Sequence, residues 1–291
     1  MKELLVLSGK GGTGKTSLTA SFVYLAGNCI ACDYDVDASN LPILLHPDNA
    51  QGQEFSAGLT AVLDQGKCID CGLCRDLCRF DAISSEYQIM TLSCEGCGFC
   101  AEVCPVEAIK MQDRSSGRWF SSTAEINGKT IPLFYAELRP GEENSGKLVA
   151  QVKNEARRKG REGGYPLLIS DGSPGIGCPV ISSLVEANLA VIVTEPSVSG
   201  FHDLERVQEL LAIRGVSSIL VINKADLNPE AADDMEKWAG DNNIPCAGRL
   251  PYSRQLADQV SAGRVPVIQK ELYELILPVW KKIRATLDGM N

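Results

Sequence analysis

Two groups of residues in this 291-residue chain have the types and spacing to do chemistry. The first is Gly9-Lys10-Gly11-Gly12-Thr13-Gly14-Lys15-Thr16, whose glycines let successive backbone N–H groups curl around phosphate oxygens. It follows the apolar run Leu4–Leu7 and leads into the helix-like Ser17–Ala26, so a helix start adds its positive dipole end at the same place. In such a loop Lys15 contacts the β- and γ-phosphates and Thr16 ligates Mg²⁺. The bland alternative is a glycine turn that holds no ligand.

The second group is cysteine. Cys68, Cys71, Cys74 and Cys78 have C-x₂-C-x₂-C-x₃-C spacing, and Cys94, Cys97, Cys100 and Cys104 repeat it 26 residues later. This spacing wraps three thiolates around one [4Fe–4S] cube and sends the fourth cysteine of each run to the other cube. The expected ligand sets are therefore Cys68, Cys71 and Cys74 with Cys104, and Cys94, Cys97 and Cys100 with Cys78. Zinc is the competing metal, but its structural sites usually pair two C-x₂-C units across a longer gap. The proline that usually follows the fourth cysteine is present as Pro105 and replaced by Arg79 in the first copy. Of the other four cysteines, Cys29, Cys32 and Cys246 fall in apolar strands and read as packing, which leaves Cys178.

A scaffold must hold these groups. Short apolar runs at Leu4–Leu7, Cys29–Cys32, Pro166–Ile169, Leu189–Val193, Ser218–Ile222 and Ile244–Ala247 alternate with helical stretches. Nearly continuous apolar strands separated by helices predict an α/β fold with a mostly parallel, doubly wound sheet. The rhythm stops between Thr60 and Asp113, where eight of the twelve cysteines lie. Residues 60–113 therefore read as an inserted α+β module resembling a two-cluster bacterial ferredoxin, within a host domain of residues 1–59 and 114–291. Asn127-Gly128 predicts a tight hairpin between Trp119–Ile126 and Thr130–Glu137. After the turn-rich Pro140-Gly141-Glu142-Glu143-Asn144, Leu148, Val149, Val152 and Ala156 recur at helical spacing.

Composition narrows the partners. A hydrophobic fraction of 44% with 22% charged residues excludes disorder and fibrous repeats. Lys plus Arg number 28 against 37 Asp plus Glu, so general attraction to nucleic acid or anionic lipid is not expected, and no sequence-specific nucleic acid is expected as a partner. Two oxidised clusters with their thiolates would move the formal −9 to about −13, favouring a partner with a basic docking face. The N-terminus carries no leader pattern and no stretch is long and apolar enough to span a bilayer, so a cytoplasmic chain with reduced thiols is expected.

The Lys10-Gly11-Gly12-Thr13-Gly14-Lys15-Thr16 run resembles the deviant phosphate loop of the MinD/ParA, Mrp/Nbp35 and nitrogenase iron-protein superfamily. The resemblance implies that Lys10 reaches across a homodimer interface to the partner's ATP. Asp33-Tyr34-Asp35-Val36-Asp37-Ala38-Ser39-Asn40 looks like the family's first switch, with Asp35, or failing it Asp37, orienting the attacking water. Asp171-Gly172-Ser173-Pro174-Gly175 looks like its second switch, with Asp171 holding a Mg²⁺-bound water, and Asn223-Lys224-Ala225-Asp226 resembles its adenine-contacting stretch. Cys178 lies seven residues after Asp171, the offset of the iron protein's bridging-cluster cysteine, yet no second such cysteine follows. The C-P-x-C of the Mrp/Nbp35 scaffolds is absent too. The C-terminal stretch Glu271–Leu287 is amphipathic as in MinD-like membrane helices, but Pro278, Glu271 and Glu274 favour docking on the sheet, and membrane contact is not expected.

The resemblance covers nearly the whole chain and implies a homodimeric ATPase that hydrolyses ATP slowly, with ATP, Mg²⁺ and two [4Fe–4S] clusters as cofactors. Its nucleotide state would serve cluster or metal-cofactor assembly, or electron delivery to a metalloprotein or redox partner. The other reading is a spatial-positioning ATPase of the MinD/ParA kind, acting on a positioning partner, in which the clusters are structural or sensory.

Overall fold

The computed structural model describes residues 1–143 and 145–290; Asn144, the end of the turn-rich stretch, and Asn291 lie outside the described residues. The elements run β1 (Lys2–Ser8), α1 (Lys15–Ala26), β2 (Ile30–Asp33), α2 (Leu41–Leu45), β3 (Asp48–Leu63), α3 (Leu73–Asp76), α4 (Phe99–Glu102), β4 (Ile109–Ile126) and β5 (Lys129–Leu138). Then follow α5 (Ser145–Gly163), β6 (Leu167–Pro174), α6 (Cys178–Leu184), β7 (Leu189–Thr194), α7 (Val198–Arg214), β8 (Ser217–Asn223), α8 (Pro229–Asp241), β9 (Cys246–Leu250), α9 (Arg254–Ser261) and α10 (Lys270–Asp288). The chain divides into two compact units. One comprises Met1–Gln53, Trp119–Glu137 and Ser145–Asn291; the other comprises Glu54–Arg118 with Leu138–Asn144. Because β3 and β4 continue from one unit into the other, the second unit includes strand residues on either side of the cysteine-rich 60–113 stretch.

Among the described residues the sheet order is β3-β4-β5-β2-β6-β1-β7-β8-β9. From β5 to β9 every neighbouring pair is parallel, as the continuous apolar runs require of strands covered on both faces. Asn127 and Gly128 between β4 and β5 both take left-handed φ, 51° and 71°, the turn that Asn-Gly favours. β1 lies between β6 and β7, and its carboxyl end opens into the glycine loop, where parallel α/β sheets bind ligands. The register sets Val6 and Asp33 on either side of Asp171, bringing two carboxylates to the same sheet edge.

Leu4, Val6, Leu18, Phe22, Ile169, Val191 and Val221 belong to the core of the first unit. The amphipathic C-terminal stretch is α10, whose Leu272, Ile276, Val279, Ile283 and Leu287 are buried, with Trp280 stacked on Phe22 at 5.4 Å. Among the described residues no helix is long and apolar enough to cross a membrane. Charge also positions the layers: Glu3, fully buried on β1, accepts from Lys153 (3.0 Å) and Arg157 (2.9 Å) of α5 and from the Tyr34 hydroxyl (3.1 Å). Cys29 and Cys32 are buried as expected of packing residues, whereas Cys246 is half-buried at the start of β9, the strand at the end of the sheet order.

The cysteine unit is built differently. α3 and α4 have four residues each, and the buried cluster comprises Ala61, Cys74, Ala82, Ile83, Cys94 and Ile109. The 26-residue repeat is written in the backbone as well: Gly72 and Gly98 take φ 85° and 79°, and Asp81 and Glu107 take 48° and 50°.

Candidate functional site

The loop between β1 and α1 turns with Gly12 at φ 81° and Gly14 at 91°, values that glycine adopts without a Cβ penalty. At Gly14 a Cβ would stand 2.5 Å from Asn223 Nδ2. That amide instead donates to the Thr13 carbonyl (2.7 Å), and Lys224 Nζ donates to the Gly12 carbonyl (2.9 Å), so the end of β8 braces the loop from behind. A cavity of ≈ 630 Å³ lies in front, lined among others by Gly11 through Ser17, Asp35, Asp37 and Ser173. Gly9, Lys10, Asp171 and Asn223 do not line it.

Beneath the cavity Lys15 Nζ pairs with Asp171 Oδ2 at 2.9 Å and lies 3.8 Å from Asp35 Oδ2. Burial works against the ammonium, but Asp171, Asp33 and Asp35 outweigh it and raise its pKa above the ordinary lysine value. Asp171 is fully buried and accepts from the Thr16 hydroxyl (2.6 Å) and the Thr19 hydroxyl (2.8 Å). Burial, then the Asp171 charge, pushes the Asp33 carboxyl up to about 7. Its oxygens accept from Asp35 N (2.9 Å), Ser39 Oγ (2.9 Å) and Leu41 N (3.0 Å), which folds the 35–41 segment over one carboxylate. Asp35 is pushed up to about 6, chiefly by burial, with Lys15 opposing and Asp171 and Asp37 adding to the rise.

These groups fit a magnesium–nucleotide. Thr16 and Asp171 supply adjacent hard oxygens, and Thr13 Oγ1 is buried in the loop with no hydrogen-bond partner among the described residues. Lys10, on the near side of the loop, is held within its own chain: Nζ lies 2.7 Å from Glu195 Oε1 and donates to Ser199 Oγ at 2.9 Å. Glu195 also takes Lys224 at 2.8 Å, so one carboxylate ties the Lys10 side chain to the β8 brace.

In the second unit the cysteines surround two cavities. Cys68, Cys71, Cys74 and Cys104 line one of ≈ 20 Å³, and Cys78, Cys94, Cys97 and Cys100 line another of ≈ 370 Å³. The fourth cysteine of each run thus stands with the first three of the other. At both positions a backbone N–H four residues on donates to the sulfur, Ala82 to Cys78 (3.4 Å) and Ala108 to Cys104 (3.2 Å). Burial pulls the Cys104 thiol up, but the N–H groups of Val106, Ala108, Ile109 and Glu107 outweigh it and hold its pKa below the ordinary value. Burial instead raises Cys74 and Cys100. Among the described residues no three His, Cys, Asp or Glu side chains converge closely enough for a single metal ion. Four thiols set around a cavity suit a polynuclear centre better than zinc, whose ligands must meet at one point.

A 4Fe-4S dicluster domain family matches residues 61–111. An uncharacterised protein of Methanocaldococcus jannaschii is 38% identical over 230 residues, covering 78% of this chain and 79% of that protein. A septum site-determining MinD of Mesostigma viride is 24% identical over 284 residues, covering 93% and 78%. The structure of the septum site-determining protein MinD of Pyrococcus horikoshii, complexed with Mg-ADP, superposes with TM-score 0.59 at 17% identity, covering 99% of this chain and 97% of that one. The chain belongs to one family with the Methanocaldococcus jannaschii protein, and its fold is that of the MinD/ParA-like proteins. Within that fold it carries a 4Fe-4S dicluster domain.

For a MinD/ParA-like chain the sequence left several partners unseen. Asp33 stood inside the quoted acidic segment, but only the β2–β6 register reveals that it sits against Asp171. Thr19, one helical turn beyond Lys15, shares Asp171 with Thr16, a spacing that could have pointed to it. Glu195 carried no local signal, and Lys224 stood inside the quoted Asn223–Asp226 stretch without a role as a brace. Cys178 is exposed at the first turn of α6 and belongs to no group of three metal-ligating side chains among the described residues.

Proposed function

We propose that the chain binds Mg·ATP and hydrolyses it slowly to ADP and phosphate at a homodimer interface, and that its nucleotide state governs two [4Fe–4S] clusters held by residues 60–113. The carrying observation is the convergence of Lys15, Thr16, Asp35 and Asp171 around the phosphate loop of a chain whose eight motif cysteines ring two cavities. Bound Mg²⁺ would supply charge neutralisation at the phosphates. Lys15 adds its ammonium there, Thr16 and Asp171 hold the cation, and Asp35 orients the water for in-line attack. Lys10 leaves Glu195 to reach the other protomer's nucleotide. The clusters serve metal-cofactor assembly or electron delivery to a metalloprotein or redox partner.

A positioning role is the second reading, favoured by the septum site-determining relatives. An anaerobic pull-down with Asp35→Ala, held in the ATP state, separates them: capture of an apo metalloprotein or redox protein supports the first, and capture of a septum or chromosome-positioning protein replaces it with the second.

A further inference from the structure

The two cysteine sets are near copies in backbone and in hydrogen bonds to sulfur, yet their electrostatic surroundings differ. Arg114 is largely buried and uses Nε and Nη2 to grip Glu142 Oε1, both at 2.8 Å. Its remaining arm, Nη1, donates to the carbonyl of Cys94 at 2.6 Å. The pair is therefore an oriented dipole whose positive end rests on the backbone of the second set, Cys78, Cys94, Cys97 and Cys100. Arg79 and Glu95, one charge of each sign, also line that cavity. Among the described residues no charged side chain lines the first set's cavity; beside it Asp70 Oδ1 lies 3.4 Å from Cys68 Sγ, and Arg75, over the Tyr87 ring at 5.9 Å, is neutralised by Asp76 at 3.3 Å. The second cavity is the roomier, ≈ 370 Å³ against ≈ 20 Å³, while exposed apolar side chains line both, Phe80 and Phe99 at the second and Ile69 and Leu73 at the first.

We infer that Arg114 and Glu142 set the potentials of the two clusters apart, making the cluster held by Cys78, Cys94, Cys97 and Cys100 the first to be reduced. Each added electron makes a cluster one charge more negative. A positive dipole end stabilises that charge, whereas a carboxylate opposes it. Arg114 is a positioning residue in this scheme, acting through the Cys94 carbonyl. A single electron entering the pair therefore rests at the cluster beside Arg114. The inference rests on the two-cluster reading above.

The test is an anaerobic redox titration of the full-length reconstituted protein, poised with dithionite and read by electron paramagnetic resonance, alongside iron and sulfide analysis. Arg114→Gln should lower the higher midpoint alone, cutting the reduced-to-oxidised ratio at fixed potential about tenfold, or ~59 mV for one electron. Glu142→Gln should raise the same midpoint, and Arg114→Lys should restore most of the loss. Loss of packing alone would move both glutamine variants in the same direction. Same-direction shifts, movement of the lower midpoint, or no shift overturn the inference; if Arg114→Gln does not fold, the Glu142→Gln arm decides it alone. A wild-type iron content near four, rather than about eight, overturns the two-cluster reading instead.

Discussion

At the nucleotide site the chain supplies its own partners: Lys15 meets Asp171, Asp33 is capped by two N–H groups and a hydroxyl, and Asn223 and Lys224 hold the loop. The cysteine unit has free thiols around two cavities, two helices of four residues, and a buried cluster in which Cys74 and Cys94 are themselves members. One region is organised by a parallel sheet before any ligand arrives. The other has a small apolar interior, and metal–thiolate bonds would add the cohesion that its packing lacks. On the proposed reading, preorganisation in the first case and metal-dependent folding in the second are separable properties of one chain.

Iron removal is the largest expected way to pull them apart. Chelation under reducing conditions should collapse the protection of amides in Glu54–Arg118 to hydrogen exchange while those of β1, β6 and β7 stay protected. A uniform loss of protection across both regions would break the distinction. Lys15→Ala acts on the other side. Deleting an ammonium that meets phosphate oxygens should weaken ATP binding about 100-fold, leaving Asp171 without its buried partner, while iron content stays at wild-type level. Unchanged affinity by calorimetry would remove the phosphate-loop assignment.

Lys10→Ala sharpens the comparison within the nucleotide region. Lys10 is partly exposed and its pair with Glu195 is worth little to stability, so the melting temperature should hardly move. ATP-dependent dimerisation, followed by light scattering, should nevertheless be lost. A variant that still dimerises with ATP would confine Lys10 to its contacts with Glu195 and Ser199.

What could be read in the sequence follows the range of the interactions. The phosphate loop and the cysteine runs declare themselves because their chemistry needs fixed residue types within a few positions. The parallel sheet was legible from β-branched runs such as Leu189–Val193, since burial on both faces leaves no alternation. The placement of Asp33 against Asp171, the Glu195 tie and the Arg114–Glu142 dipole were not legible: each depends on residues brought together by the fold, 28 apart for Arg114–Glu142 and 189 for Lys10–Ser199. Cys246 departed from its expected burial for a related reason. β9 ends the strand order, and its first residue is covered less than an interior strand's would be.

Asn223→Ala carries the smallest expected effect and tests the preorganisation most directly. The amide touches the Thr13 carbonyl from behind and lines no part of the cavity, so its deletion removes no contact with bound ligand in this arrangement. It does strand a buried carbonyl and free the loop on one side, with Lys224 still holding Gly12. An orphaned buried acceptor costs about 1–3 kcal/mol. If that cost falls on the loop's bound shape, ATP affinity drops about tenfold, one decade per 1.4 kcal/mol, with iron content unchanged. Binding at full strength with a lowered melting temperature would mean that the brace stabilises the fold and not the site. Loss on the scale of Lys15→Ala would instead give Asn223 direct contact with the nucleotide, the adenine role expected from its place after β8.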